Sequence, residues 1–228
     1  MLVKMKNNNR FVRFPKQLTE ELAEFIGAYY GDGNMCGAKK SDHGHMFRID
    51  GNLKKDKKYI AYLADKIEKL FGICPSILFN EKASNIYLKV YSKKLCEFLH
   101  TNLGFKYGDK GVLKLPSEII SQRGLLIAFL RGLFDTDGCV TYQKVNNKKY
   151  VQLKITTQYK TFADEIKNCL LPFGIKSHVC WKCQDPKSGG SYDVSISCKS
   201  SRTWFEIIGS HNDRNIDRFK ELNGDVKI

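Results

Sequence analysis

LAEFIGAYYGDG, residues 22–33, returns 105 positions later as IAFLRGLFDTDG, residues 127–138. In that alignment Ala23 falls on Ala128, Gly27 on Gly132, Gly31 on Thr136, Asp32 on Asp137 and Gly33 on Gly138, with mostly apolar positions between. Small residues thus recur every fourth position in both copies. Residues i and i+4 share a helix face, so each copy reads as a helix with one smooth face that a second backbone can approach closely. Glycine inside a helix costs roughly 1 kcal/mol relative to alanine, and close packing is the compensation. Each helix then stops at Asp-Gly, glycine being a common helix terminator. An acid there faces the negative end of the helix dipole and unpaired carbonyls. If the helices pair side by side, Asp32 and Asp137 converge and repel. Two carboxylates with free carbonyls make a hard-oxygen site for Mg²⁺ or a similar cation.

The same order of elements follows each copy. Residues 34–40 read as a strand, SDHG at 41–44 as a turn and 45–53 as a second strand. Tyr59, Tyr62, Leu63, Ile67 and Leu70 recur at helical spacing, and Gly72 closes that helix. Strands at 76–79 and 86–91 flank NEKASN, and a helix follows over 93–103. After Asp137 come strands at 139–144 and 150–157, then a helix over 160–171 that stops before Pro172. Strands at 177–182 and 192–197, a helix over 201–208 and a basic tail complete the chain. FGI at 173–175 echoes FGI at 71–73. An internal repeat of this length is a pseudo-dimer in one chain. The divisions are a basic arm at 1–17, pinned by Phe11 and Phe14, a first half at 18–104, a linker at 105–120 and a second half at 121–228.

Lys and Arg outnumber Asp and Glu 38 to 24, a formal net charge of +14. Such a field favours a polyanion or an anionic membrane surface. No apolar run reaches the roughly eighteen residues of a membrane span. MLVKMKNNNR is followed by no apolar stretch of a secretory signal. Nucleic acid is the partner these features leave. The eight cysteines then read as reduced thiols of an intracellular protein, in cytoplasm, nucleoid or an organelle. Cys180 and Cys183 make one C-x-x-C, but a structural zinc site needs a second pair, and none stands at suitable spacing. His43, His45, His100 and His211 form no spaced metal pair; the first two read as turn or strand residues near DNA.

FIGAYYGDG, Phe25 to Gly33, and LRGLFDTDG, Leu130 to Gly138, resemble the motif of the LAGLIDADG homing endonucleases, in the single-chain form that carries two motifs. The resemblance implies an α+β fold of two pseudo-symmetric αββαββα halves. The motif helices would pair at the centre, and the antiparallel sheets would form a DNA-binding saddle. It implies a monomer that hydrolyses a long, non-palindromic double-stranded DNA target, whether intron-encoded or free-standing. Asp32 and Asp137 would hold Mg²⁺, helped by the Gly31 and Thr136 carbonyls, with Mn²⁺ or Ca²⁺ able to substitute for binding. The family's polar residue near the water network falls on Asp56 and Gln158, each sixteen positions before the Gly of FGI. Asp56 reads equally as a charge partner for the lysines around it. The basic residue of the first centre falls on Lys114 in KLP, with Lys110 in GDKG as the alternative. In the second half it falls on Arg214 or Asn215. Arginine can stabilise phosphate charge but stays protonated and is a poor general base; if no basic residue serves that side, its strand is expected to be cut more slowly.

Strands alternate their faces, so one face of each sheet covers helices and the other is free for a duplex. Candidate DNA contacts are Lys39, Lys40, Arg48, Lys54, Lys82 and Lys89 in the first half. In the second they are Lys144, Lys154, His178, Lys182 and Lys187. Asn34, Asn52, Gln143, Gln152 and Gln184 add groups suited to reading base edges. Two other functions fit the same fold: an intron RNA-splicing maturase and a cleavage-inactive DNA-binding regulator. Intact Asp32 and Asp137 favour cleavage, while Asn215 weighs for the regulator. No splicing domain flanks the motifs and the chain ends DVKI, so an intein is not expected.

Overall fold

Thr19 starts the first motif helix, its side chain accepting a hydrogen bond from the Leu22 amide, with Glu20 and Glu21 in the first turn where the dipole favours acids. The structure, a computed structural model, describes residues 12–37, 44–182 and 190–223. After α1 (Glu20–Asp32) come β1 (Gly33–Cys36), β2 (Met46–Asn52), α2 (Lys57–Phe71), β3 (Ser76–Asn80), β4 (Asn85–Tyr91) and α3 (Lys93–Leu103). A short α4 (Ser117–Ile120) leads into α5 (Arg123–Asp137), β5 (Gly138–Val145), β6 (Lys148–Thr157) and α6 (Lys160–Leu170). Then follow β7 (Ser177–Lys182), β8 (Ser191–Ile196), α7 (Ser201–Ile207) and α8 (Asp213–Asn223). Each half builds an antiparallel four-stranded sheet, ordered β1-β2-β4-β3 and β5-β6-β8-β7. The repeated αββαββα order is the observed α+β fold. The expected basic tail is instead α8. Ile216, Phe219 and Leu222 recur there at helical spacing, and Phe219 stacks on Phe205 at 3.9 Å between ring centroids.

The smooth faces of α1 and α5 meet. A Cβ on Gly27 would strike the Phe129 carbonyl and come within 2.9 Å of the Leu133 nitrogen. One on Gly132 would strike the Glu24 carbonyl and come within 2.9 Å of the Ala28 nitrogen. Gly27→Ala must therefore push two backbones apart. It is expected to cost about 3 kcal/mol, lowering Tm by roughly 6–12 °C. Gly37→Ala, whose added Cβ would stand 3.7 Å from the nearest Tyr107 atom, should leave Tm unchanged. Equal losses in thermal melts would show that the seam is not the close contact described.

Gly33 and Gly138 do not stop their helices by a left-handed turn: their φ values are −78° and −90°. They are small because a Cβ would meet Tyr29 Cα at 2.7 Å in one half and the Phe134 ring at 2.7 Å in the other. The chain thus passes directly from each acid into a strand.

Aromatic side chains fill the first half's core. Tyr29 and Phe105 stack at 3.7 Å between centroids, 3° from parallel. Phe105, Leu115 and Ile119 are buried, so residues 105–120 are docked along the body. Of the arm, Phe14 stacks on Phe98 at 4.7 Å and the Arg13 amide donates to the Phe71 carbonyl. Phe11 lies outside the described residues.

Candidate active site

Asp32 and Asp137 end α1 and α5, and the close seam brings these ends together. A Cβ on Gly31 would stand 3.2 Å from the Asp137 carboxyl carbon. Each carboxyl keeps an opening to solvent while protein surrounds its other sides. Loss of water pushes Asp32 up to about 6, with Lys110 and Arg214 pulling down and Asp56 and Asp50 pushing back. Asp137 is pushed up to about 7 by loss of water and then by the Asp32 charge, against the pull of Lys110. The two acids therefore oppose each other in the folded chain.

A positive group covers the carbonyls at each helix end. Lys110 Nζ donates to the carbonyls of Tyr29 (3.3 Å), Tyr30 (2.8 Å) and Gly31. In α5 two residues share that task. Asn215 Nδ2 donates to the Phe134 carbonyl at 3.3 Å, and Arg214 Nη2 to those of Asp135 and Thr136 at 3.4 Å each. Both residues weighed from the sequence thus touch the end of α5. The turn presenting Lys110 is shaped by Gly108 (φ 80°) and Gly111 (φ 59°). It is tied down by Asp109 Oδ1 accepting from the Gly111 amide at 2.8 Å and by the Gly108 amide donating to the Met35 carbonyl at 2.8 Å. Lys114, the first choice from the KLP pattern, is exposed, and its carbonyl accepts from the Tyr30 hydroxyl at 3.3 Å. Leu115 is buried beside it and donates its amide to Glu165 at 2.8 Å, docking KLP on α6. The lysine at the acids is Lys110.

The groups sort into two unlike surroundings: Asp32 and Asp56 have a cation from the other half, Arg214, while Lys110 of the linker lies near both helix-end acids. Arg214 pulls on Asp32 and lies 3.3 Å from the carboxylate of Asp56, which is buried. Asp56 also accepts from the Asn52 amide at 2.7 Å and from Asn212 Nδ2 at 2.9 Å. Its charge partner is Arg214, not the lysines adjacent in sequence. Burial holds the Lys110 ammonium below the ordinary lysine range, opposed first by Asp137 and then by Asp32. Gln158 lines an open cleft with Gly31, Lys110 and Asp137. The Asp32 centre thus has a second acid and an arginine, where the Asp137 centre has an amide and a lysine.

Beside the Asp32 centre lies a polar cluster that periodicity did not mark. Ligand atoms of Glu24, Asp135 and His211 lie within 4.8 Å of one another, a grouping able to hold a metal ion. Glu24 is already compensated, by Lys66 Nζ at 3.0 Å, Arg131 Nη1 at 3.6 Å and His211 Nδ1 at 2.8 Å. A divalent ion there would compete with three direct ion pairs, whereas among the described residues neither Asp32 nor Asp137 has one, so the helix-end acids are the better cation site. Asp135 accepts from the His211 amide at 2.8 Å and from the Ser210 hydroxyl. At the matching positions the other copy carries Phe129 and Tyr30, whose rings meet edge-on at 5.3 Å. One side of the seam is ionic and the other aromatic.

Strand register shows which side chains face away from the helices. Asn34, Arg48, Lys89 and Ser76 form one row across the first sheet; Cys139, Lys154, Ser195 and His178 form its counterpart in the second. Two of these bases are held by acids: Arg48 by Asp50 at 2.7 Å and Lys154 by Asp193 at 3.3 Å. Arg48 Nε and Asp50 Oδ1 remain buried without a partner. Lys182 lies on the same face, and Lys54 and Lys82 are exposed in turns. Lys144 pairs with Lys149 and shares the parity of Val140 and Tyr142, the helix side of the sheet. Lys39, Lys40, His43, Cys183, Gln184 and Lys187 lie outside the described residues.

A family profile described as a LAGLIDADG-like domain matches residues 124–209. The replication factor C small subunit of Methanocaldococcus jannaschii is 29% identical over 217 residues, 93% of this chain. The chain spans only 11% of the length of that curated relative. Among solved structures, I-DmoI in complex with DNA and Ca matches with a TM-score of 0.60 at 18% identity, covering 89% of this chain and 97% of that one. The same protein is also known in complex with DNA and Mn. The homing endonuclease I-WcaI bound to its DNA recognition sequence matches with a TM-score of 0.57 at 17% identity, covering 91% of this chain and 88% of that one. At these identities the structural likeness establishes the fold.

Proposed function

We propose that the chain is a LAGLIDADG protein of the single-chain, two-motif form, a reading supported by the profile match over residues 124–209 and by the fold, and that it is a site-specific, divalent-metal-dependent double-strand DNA endonuclease with a long, non-palindromic target. One observation carries the reading. The seam delivers two mutually repelling acids to one place, with Lys110 of the linker near both and Arg214 of the second half near Asp32. Hard oxygens fit Mg²⁺, so Asp32 and Asp137 would hold it; the neighbouring Gly31 and Thr136 carbonyls would add to the site only where Lys110 and Arg214, their donors in this structure, turn from them to phosphate. The metal would supply charge stabilisation for the attacking and leaving oxygens of the phosphodiester. Lys110 and Arg214 place positive charge where negative charge develops on the phosphate. Lys110 can exchange a proton and Arg214 cannot. Gln158 orients water in its cleft.

The outward faces would take the duplex. Arg48, Lys89, Lys154, His178 and Lys182 line them, Lys54 and Lys82 grip phosphates from turns, and base edges would satisfy Arg48 Nε and Asp50 Oδ1. Selection on a randomised double-stranded DNA library with Mg²⁺ should return one long asymmetric site cut in both strands. No cut DNA, together with tight binding to an intron RNA, would move the function to splicing assistance. Binding should also weaken by on the order of 10³-fold between 50 and 200 mM salt if six or more phosphates are held. A flat salt response in filter binding would sink the nucleic-acid reading.

A further inference from the structure

We propose that Asn212 is a positioning residue for the Asp32 centre, locking Asp56 and Arg214 in place, an inference that rests on the nuclease reading. Asn212 is 1% exposed. Its Nδ2 donates both hydrogens, to Asp56 Oδ1 at 2.9 Å and to the Asp135 carbonyl at 3.0 Å. Its Oδ1 accepts from the Arg214 amide at 3.1 Å. One side chain therefore fixes the acid that pairs with Arg214, the backbone that carries Arg214 and the end of α5. The loop around it is held on both sides. The Ser210 hydroxyl and the His211 amide donate to Asp135, and Asn215 Nδ2 donates to the Phe134 carbonyl.

Among the described residues the other centre has no such device. Asp56 matches Gln158, which is exposed, and the Lys110 turn is held by Asp109 and β1. Asn212 should therefore act on one strand cut and not on the other, so each molecule carries its own reference.

The test follows each strand of a selected target with separate end labels. Arg214→Ala and Lys110→Ala first identify which cut belongs to which centre. Asn212→Ala should then slow the Arg214-dependent cut by about 10–100-fold, the usual effect of removing an orienting partner. The Lys110-dependent cut and the Kd for DNA should not change. In an Arg214→Ala background, Asn212→Ala should add nothing to the loss on that strand. Asn212→Ser, which keeps a small polar group and removes both amide donors, should give the same strand bias and serves if the alanine variant does not fold. Equal slowing of both strands, or additive losses with Arg214→Ala, overturns the positioning role alone. A parent chain that binds DNA but cuts neither strand overturns the nuclease reading and this inference with it.

Discussion

Asp137→Asn is expected to lose DNA cleavage by at least about 10³-fold while melting higher than the parent at pH 8. Both effects follow from one fact: the seam holds the carboxyl where its charge is disfavoured. Asp137 is pushed from an ordinary 3.8 up to about 7. Because the folded value is raised, the ionised acid weakens the fold. That penalty is absent below the unfolded pKa, grows as pH rises, and is complete above about 7. Each factor of ten in proton affinity corresponds to about 1.4 kcal/mol, but the carboxyl is partly open to solvent and shares its repulsion with Asp32. Discounted for screening, the relief is roughly 1–2 kcal/mol, which raises Tm by roughly 2–8 °C. Asp32→Asn should act in the same direction by less, since Asp32 is pushed only to about 6. A cation should do for the parent what asparagine does for the variant. Mg²⁺ or Ca²⁺ at about 100 times its Kd adds roughly 2.7 kcal/mol, an increment that the Asp32→Asn/Asp137→Asn double variant should lack. DNA binding should survive, because the changes remove negative charge from a surface facing phosphate. A double variant that Ca²⁺ still stabilises would place the cation elsewhere, with Glu24, Asp135 and His211 the first place to look.

The fold was legible because two periodicities agreed. Small residues four apart marked the seam, and the repeat at 105 positions doubled every later element. Asp32 and Asp137 were legible because an acid at a helix C-terminus is badly placed unless something uses it. The cations were less so. KLP pointed to Lys114, but Leu115 is the part of that pattern with a fixed place, and burying it leaves Lys114 in solvent. Lys110 reaches the acids through a turn built on two positive-φ glycines, Gly108 and Gly111. GDKG names such a turn but not its direction. Asn212 carried no signal, because a polar residue in GSHNDR reads as a loop and its partners are as distant in sequence as Asp56. α8 was missed because its charges outweigh its short apolar stripe. Glu24 was missed because one polar residue does not disturb an apolar helical pattern.

Glu24→Gln is expected to destabilise the protein by about 3–5 kcal/mol near neutral pH, the range for breaking a buried ion pair by removing one partner. The change preserves shape and removes only the charge. It strands Lys66, 8% exposed, whose Nζ lies 3.0 Å from the carboxylate, and weakens the hold on Arg131 and His211. Burial alone would raise the Glu24 pKa, but the His211 hydrogen bond, the Lys66 charge and the Tyr62 hydroxyl outweigh it and bring it down to about 2. Because the folded value lies below the unfolded 4.5, the stabilisation is complete above about 4.5 and is lost as pH falls toward 2. Asp135 runs the other way. It is pushed up to about 6, so its ionisation weakens the fold, and acidification through that value relieves it before Glu24 begins to protonate. Urea unfolding of the parent should therefore show stability holding or rising from pH 7 to about 5, then falling steeply below 4.5. Glu24→Gln should start lower by roughly 6–20 °C in Tm and lack most of the steep acid limb. Replacing both partners by apolar residues, as in Glu24→Leu with Lys66→Met, should recover part of the loss, since the stranded charge is then absent. A Glu24→Gln profile running parallel to the parent between pH 4.5 and 2 would mean that another group carries the acid limb. The seam would then owe its ionic side to something other than this pair.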